Sequence, residues 1–142
     1  MILYLDTSAV VKLYASEPGS AEIKRAVARA DQIASSLLAY AETRAALARK
    51  HRLRQISVAE LERSKAEFEF HWSGFFKLPI DAEIVLRAAD LAEKLGLGAY
   101  DAVHLASADR LHRDTQSAVS FACFDKALSI AASTVGLRVA GC

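Results

Sequence analysis

Short apolar runs recur along the chain, and longer segments with helically spaced apolar residues separate them. The first run, "ILYL" directly after Met1, is continuous and short. Such a run is typical of a strand buried on both faces of a parallel sheet. Later runs have similar length and lie between turn residues. We therefore predict five strands, over residues 2–5, 32–36, 76–80, 118–124 and 137–141.

The segments between these runs predict helices, because their apolar residues recur every three or four positions. Ser20, Ser36 and Asp81 stand where an N-cap is expected. Ser57 and Glu60 have the spacing of a capping box. The predicted helices cover residues 8–15, 20–30, 36–53, 57–76, 82–95, 100–112 and 125–134.

Strands that alternate with helices favour parallel pairing, with right-handed crossovers that place helices on both faces of the sheet. We therefore expect a three-layer α/β/α sandwich with a central parallel sheet. Because the chain has 142 residues and no linker-like or low-complexity tract, we expect residues 1–142 to form a single domain. In such folds, ligands bind beyond the carboxyl ends of the strands.

Composition indicates the cellular compartment of the protein more clearly than it indicates the function. The net charge of +1 gives no global preference for nucleic acid or membrane. The longest uncharged stretch, between Lys126 and Arg138, is shorter than the roughly 18 residues of a membrane span. The N-terminus lacks a basic region and Asp6 interrupts its apolar run, so we expect no signal peptide. With only two cysteines, a cytoplasmic protein fits best.

Four acidic residues differ from the rest because they have apolar neighbours and lie near the predicted carboxyl ends of strands. They are Asp6, Glu42, Asp101 and Asp125. Each has a structural alternative: Asp6 and Asp125 could cap the following helices, and Asp101 could favour the amino end of its helix dipole. Four acids at one sheet edge would repel one another unless cations neutralised them. Mg²⁺ or Mn²⁺ suits such oxygen ligands.

The sequences around these acids resemble the four acidic motifs of PIN-domain ribonucleases. The matching segments are "YLDTSAVVKLY", "AETRAAL", "GAYDAVHLA" and "FACFDKAL". Size and motif spacing resemble, more narrowly, the VapC toxins of toxin–antitoxin pairs. The resemblance implies that Asp6, Glu42, Asp101 and Asp125 form a catalytic, metal-binding cluster, with Thr7 or Ser8 as hydroxyl support beside Asp6. One departure is "FACF" before Asp125, where many relatives carry Thr or Ser.

The resemblance also implies an activity: a metal-dependent endoribonuclease that uses one or two Mg²⁺ or Mn²⁺ ions and leaves 5′-phosphate and 3′-hydroxyl ends. It implies an antitoxin protein and a second copy of the chain as partners. An alternative is a catalytically inactive PIN-like scaffold that binds RNA or protein. Loss of an acid is its usual sign, and here all four are present.

Three further features suggest contacts with RNA or with partners. Arg44, Arg49, Lys50 and Arg52 follow Glu42 and predict a phosphate-binding patch; a solvated helix end is an equal alternative. Lys12 could reach phosphate or lie at the surface, and His104 could share a helical face with Asp101 or be a partly buried core histidine.

In the aromatic segment "EFEFHWSGFF", one helical face would carry core residues, and an exposed apolar strip would mark a partner surface. The residues assigned to the shared helical face, which core packing mostly explains, are Phe68, Trp72, Phe75 and Phe76.

Overall fold

A computed structural model describes residues 1–141 as five strands and seven helices that alternate along much of the chain. All four strand pairings are parallel, and the strand order is β3-β2-β1-β4-β5. The predicted fold class is confirmed. The elements are β1 Ile2–Leu5, α1 Thr7–Tyr14, α2 Ser20–Arg29, β2 Gln32–Ser36, α3 Leu38–Arg52, α4 Val58–Trp72, β3 Phe76–Leu78, α5 Ala82–Leu95, α6 Ala99–Asp114, β4 Val119–Ala122, α7 Lys126–Thr134 and β5 Arg138–Ala140.

The first strand occupies the centre of the sheet, which explains its unbroken apolar sequence. Tyr4 pairs in register with Ala34 on one side and Phe121 on the other. Since successive strand residues face opposite sides, Tyr4 belongs to one core while Leu3 and Leu5 belong to the other. The core around Tyr4 contains residues of α5, α6 and α7, and the core around Leu3 contains residues of α1 to α4. These are the two outer layers of the sandwich.

The aromatic segment folds differently from the prediction at its end. The helix α4 ends at Trp72, and a turn through Ser73 and Gly74 leads into β3. Phe68, Trp72 and Phe75 are buried as predicted, whereas Phe76 is 53% exposed. The predicted extension to Phe76 is wrong because glycine is a poor helix former and the next residues pair with β2 instead.

Two of the four predicted N-caps, Ser57 and Asp81, are confirmed. Ser57 and Glu60 form both bonds of a capping box, and the Asp81 carboxylate accepts from the Ile84 N–H. Ser20 is not the N-cap of α2, since Gly19 occupies that position with a φ of 95°. The Ser20 hydroxyl instead bonds to the Ala15 carbonyl.

The helix α3 begins two residues later than its predicted cap, Ser36. Leu37 is the N-cap residue, and it makes no side-chain cap hydrogen bond. The Ser36 hydroxyl nevertheless accepts from the Leu38 N–H at 3.1 Å. Within residues 1–141, no helix has the length and apolar character needed to cross a lipid bilayer.

Candidate active site

The four predicted acids lie near the carboxyl edge of the sheet, and electrostatics links them. Asp6 directly follows β1, Asp125 follows β4, Glu42 lies in α3 after β2, and Asp101 lies in the first turn of α6. The pKa of Asp101 is raised by burial, and by the negative charges of Asp125 and Glu42, against a lowering effect of His104. Asp101 in turn helps to raise the pKa of Asp6. The fold therefore brings the four carboxylates into one electrostatic neighbourhood.

Asp6 is buried and fixed by two donors. Its Oδ1 accepts the Ala9 N–H at 2.9 Å, which makes it the N-cap of α1, and accepts the Ser8 hydroxyl at 2.7 Å. Burial nevertheless dominates and raises its pKa above the usual range, although the bonds from Ser8 and Ala9 oppose the shift. The capping alternative is thus correct for Asp6. Both bonds engage Oδ1, so capping is compatible with a ligand at Oδ2.

The Ser8 hydroxyl connects two elements of the site. It donates to Asp6 and accepts the Phe124 N–H at 3.1 Å. This second bond ties α1 to the residue before Asp125. Thr7 has a different role, because its hydroxyl donates to Glu42 Oε1 at 2.6 Å. The two adjacent hydroxyls therefore support two different carboxylates.

A buried histidine completes the environment of Glu42. His104 is 2% exposed, and its Nε2 lies 2.9 Å from Glu42 Oε1 and 3.0 Å from the Thr7 hydroxyl. Its Nδ1 lies 3.0 Å from the Tyr4 hydroxyl. Burial raises the pKa of Tyr4 far above its usual value, which keeps the hydroxyl protonated. In the neutral histidine tautomer with a bare Nδ1, that hydroxyl donates a hydrogen bond to Nδ1. Nε2 then carries hydrogen and donates to Glu42.

These contacts keep Glu42 ionised. Burial raises the pKa of Glu42, but the bonds from His104 and Thr7 outweigh burial and leave the pKa below its usual value. The alternative that His104 is a core histidine describes only part of its role, because His104 is buried and also contacts Glu42 of the site. The sequence indicated this only through the position of His104 three residues after Asp101, which places both on one helical face. Tyr4, in the middle of an apolar strand, gave no signal in the sequence.

Asp125 lies at the exposed side of the neighbourhood and caps α7. Its Oδ1 accepts the Leu128 N–H at 2.8 Å. The capping alternative is therefore also correct for Asp125. In "FACF", the residue before Asp125 is Phe124, whose N–H donates to the Ser8 hydroxyl.

The donor set fits a hard divalent cation held largely through water. Among residues 1–141, no three His, Cys, Asp or Glu side chains lie close enough to form a ready-made metal site. In that part of the chain, no lysine or arginine forms an ion pair with any of the four acids. Mg²⁺ typically takes only one or two carboxylates and keeps several waters. Asp6 and Asp101, whose pKa values are raised by burial and by charge repulsion, are the best-suited pair.

The predicted basic patch is divided by ion pairs. Arg44 bonds to Glu69 at 2.7 Å, and Lys50 bonds to Glu17 at 2.7 Å. Arg49 and Arg52 are exposed near the end of α3. The alternative that Lys12 lies exposed at the surface is wrong, because its side chain is largely buried and bonds to Glu17 at 3.0 Å. The patch therefore contains both exposed and internally paired cations.

Comparison with known proteins connects this geometry to a family. The PIN domain family model matches residues 3–132. Ribonuclease VapC45 of Mycobacterium tuberculosis is 34% identical over 139 residues, which are 98% of this chain and 94% of that protein.

Two solved structures show the same fold. A toxin–antitoxin complex from Klebsiella pneumoniae is similar with a TM-score of 0.60 and 22% identity, over 87% of this chain and 86% of that one. M. tuberculosis VapC20, described as a sarcin–ricin loop cleaving toxin, has a TM-score of 0.66 and 16% identity, over 95% of each chain. Since the family model spans most of the sequence and the mycobacterial relative matches nearly all of it, the chain belongs to the PIN-domain family and, within it, to the VapC ribonucleases.

Proposed function

We propose that this protein is a metal-dependent endoribonuclease and the toxin of a toxin–antitoxin pair, acting in the cytoplasm as one nuclease domain over residues 1–142. The main supporting observation is the gathering of Asp6, Glu42, Asp101 and Asp125 in one electrostatic neighbourhood. Within residues 1–141, these acids have no lysine or arginine partner. A divalent cation would supply the missing positive charge.

RNA is the proposed substrate because of the relatives. VapC45 is named a ribonuclease, and VapC20 is described as cleaving the sarcin–ricin loop. The proposed partners are a cognate antitoxin, as in the Klebsiella pneumoniae complex, and a second copy of this chain. We expect products with 5′-phosphate and 3′-hydroxyl ends.

The residues of the site divide the work between metal binding and orientation. Asp6 and Asp101 would hold Mg²⁺ or Mn²⁺, one ion or two, with Glu42 and Asp125 bound directly or through water. When bound, such an ion lowers the pKa of water and stabilises charge on the attacking and leaving oxygens. Ser8 and the Ala9 N–H fix the Asp6 carboxylate. Thr7 and His104 keep Glu42 ionised and oriented, so that Glu42 can accept a hydrogen bond from the attacking water.

The test compares new RNA 5′ ends, mapped by sequencing, after total RNA of the host is incubated with wild-type protein or with Asp101→Asn. Each protein is used with Mg²⁺ and with chelator. Asp90→Asn, an exposed aspartate of α5, is the matched control and should cleave like wild type. New ends that require both Asp101 and Mg²⁺ would support the proposal. A folded, antitoxin-free protein that produces no new ends would instead support the scaffold alternative.

A further inference from the structure

Two lysines and one glutamate form a compact charged group beside the acidic neighbourhood. Lys12 of α1 bonds to Glu17 Oε1 at 3.0 Å, and Lys50 of α3 bonds to Glu17 Oε2 at 2.7 Å. The side chains are 13%, 23% and 25% exposed for Lys12, Lys50 and Glu17. One glutamate, in the turn between α1 and α2, therefore pairs with two lysines whose side chains are largely buried.

The group carries one net positive charge, because two lysines share one carboxylate. Burial raises the pKa of Glu17, but the hydrogen bonds from Lys50 and Lys12 outweigh it and leave the pKa below its usual value. One lysine would be enough to neutralise this carboxylate. A second lysine adds a charge that pairs with no other acid among residues 1–141. Such an excess is explained if an anion completes the group.

Lys12 is connected to the acidic neighbourhood through short contacts. Its ammonium lies 4.7 Å from the centre of the Phe124 ring. The Phe124 N–H bonds to the Ser8 hydroxyl, which bonds to Asp6. The side chains of helical residues lean toward the amino end of their helix, and both α1 and α3 start at the carboxyl edge of the sheet. The two lysines therefore extend toward the acids.

The separation favours a phosphate adjacent to the cleaved one. Lys12 follows Ser8 by four residues, about 6 Å along α1, and Lys50 follows Glu42 by eight residues, about 12 Å along α3. These are separations along the helix axes, and they place Lys12 about one turn from Ser8 and Lys50 about two turns from Glu42. The two ammonium groups are well placed for another phosphate of the same strand.

We propose that Lys12 and Lys50, held together by Glu17, bind a non-scissile phosphate of the RNA strand and position that strand against the acidic cluster. The proposal rests on the proposed function. It concerns positioning residues only, because neither lysine contacts the reacting atoms. A phosphodiester is the matching anion, because RNA is the proposed substrate and each nucleotide next to the acids brings one phosphate.

The test uses a fluorescein-labelled 12-nucleotide single-stranded RNA of mixed sequence with the full chain carrying Asp101→Asn, which prevents cleavage. Lys12→Gln and Lys50→Gln should each weaken binding about tenfold at low salt. The slope of log affinity against log salt should become about 0.7 less steep for each lysine removed. In the cleaving protein, each substitution should raise KM and leave kcat within about twofold.

Glu17→Gln separates a binding role from a structural one. Glu17→Gln and Lys12→Gln break the same ion pair, but only Lys12→Gln removes a cation. If the lysines bind phosphate, Glu17→Gln keeps the salt slope and Lys12→Gln lowers it. If the group only stabilises the fold, both variants lower the melting temperature and neither changes the slope, which would overturn the proposal.

Arg29→Gln is the charge-matched control, because exposed Arg29 ends α2 at the opposite edge of the sheet. It should leave both affinity and slope unchanged. An equal loss in Arg29→Gln would show that only net charge matters and would also overturn the proposal. Wild-type protein that cleaves RNA while the lysine variants bind normally would contradict this inference alone. Wild-type protein that cleaves no RNA would contradict the proposed function itself.

Discussion

His104 Nε2 lies 2.9 Å from Glu42 Oε1, although 62 positions separate the two residues in the chain. The contact joins α6 on one face of the sheet to α3 on the other, at the edge where both helices approach β1. The Tyr4 hydroxyl lies on the other side of the ring, at 3.0 Å from Nδ1. A strand residue in the sheet's centre thereby sets the orientation of a candidate catalytic carboxylate. The side chains that hold Glu42 in place, His104 and Tyr4, are therefore buried in the core.

We predict that His104→Phe lowers the RNA cleavage rate by at least about tenfold and the free energy of unfolding by about 1–3 kcal/mol. The phenyl ring would leave the Tyr4 hydroxyl without its His104 acceptor and would remove one of the two donors to Glu42, so that only Thr7 remains. Initial cleavage rates and urea unfolding would measure the two effects. Tyr4→Phe is the comparison variant: it removes only the bond to Nδ1 and keeps the contact of His104 with Glu42, so its loss of activity should be smaller. Equal activity of His104→Phe and wild type would exclude a positioning role.

Asp101→Asn should raise the melting temperature of the metal-free protein at pH 7. Burial and the charges of Asp125 and Glu42 disfavour an ionised Asp101, as the raised pKa indicates. An amide removes that repulsion at nearly constant shape. Differential scanning fluorimetry with chelator would measure the change, and Asp90→Asn should show none. A lower melting temperature would mean that Asp101 stabilises the metal-free fold.

The same variant should lose the stabilisation that Mg²⁺ gives to the wild-type protein. A ligand that binds only the folded state stabilises it in proportion to the logarithm of its concentration. We therefore expect the wild-type melting temperature to rise with Mg²⁺ concentration while that of Asp101→Asn stays constant. A rise of equal size in both proteins would remove Asp101 from the proposed metal ligands.

The sequence predicted the secondary-structure elements better than it predicted the tertiary contacts between them. The run "ILYL" predicted β1 with its observed bounds, and the capping box at Ser57 and Glu60 predicted the start of α4. Both signals are local. The end of α4 was misplaced because pairing of Phe76 with Ala34 in β2 is a tertiary contact that helical periodicity does not contain.

The acids of the candidate site were accessible to sequence reasoning because Asp6 directly follows the apolar strand β1 and Asp125 lies shortly after β4. Their hydrogen-bond partners were not. The contacts of Tyr4 with His104 and of Lys50 with Glu17 join residues 100 and 33 positions apart. Such pairs depend on the packing of whole layers. Local spacing predicts which carboxylates approach one edge, but it does not predict which side chains hold them.

Gly19→Ala should destabilise the protein by about 1–2 kcal/mol or more, because Gly19 has a positive φ that other residues adopt at a cost. A Cβ at this position would also lie 2.5 Å from a carbon of the Phe124 ring. The ring would have to move, and Asp125 follows it directly, so cleavage should fall as well. Gly74→Ala is the control, since its Cβ would meet only ordinary contacts. Chemical unfolding and cleavage rates would measure both effects, and an unchanged Gly19→Ala would contradict the close approach.

The ion pairs of Glu17 should contribute stability that depends on pH. Because the lysines hold the folded-state pKa of Glu17 below its ordinary value of 4.5, the contribution is fully present above about pH 4.5. It is lost as the pH falls through the lower folded-state value. We expect Glu17→Gln to lower the free energy of unfolding by about 1 kcal/mol at pH 7, and the difference from wild type to shrink between pH 4.5 and pH 3. Urea unfolding at both pH values would measure it, with Glu62→Gln, an exposed glutamate of α4, as the control. A difference that stays constant over this range would mean that packing, and not charge, accounts for the contribution of Glu17.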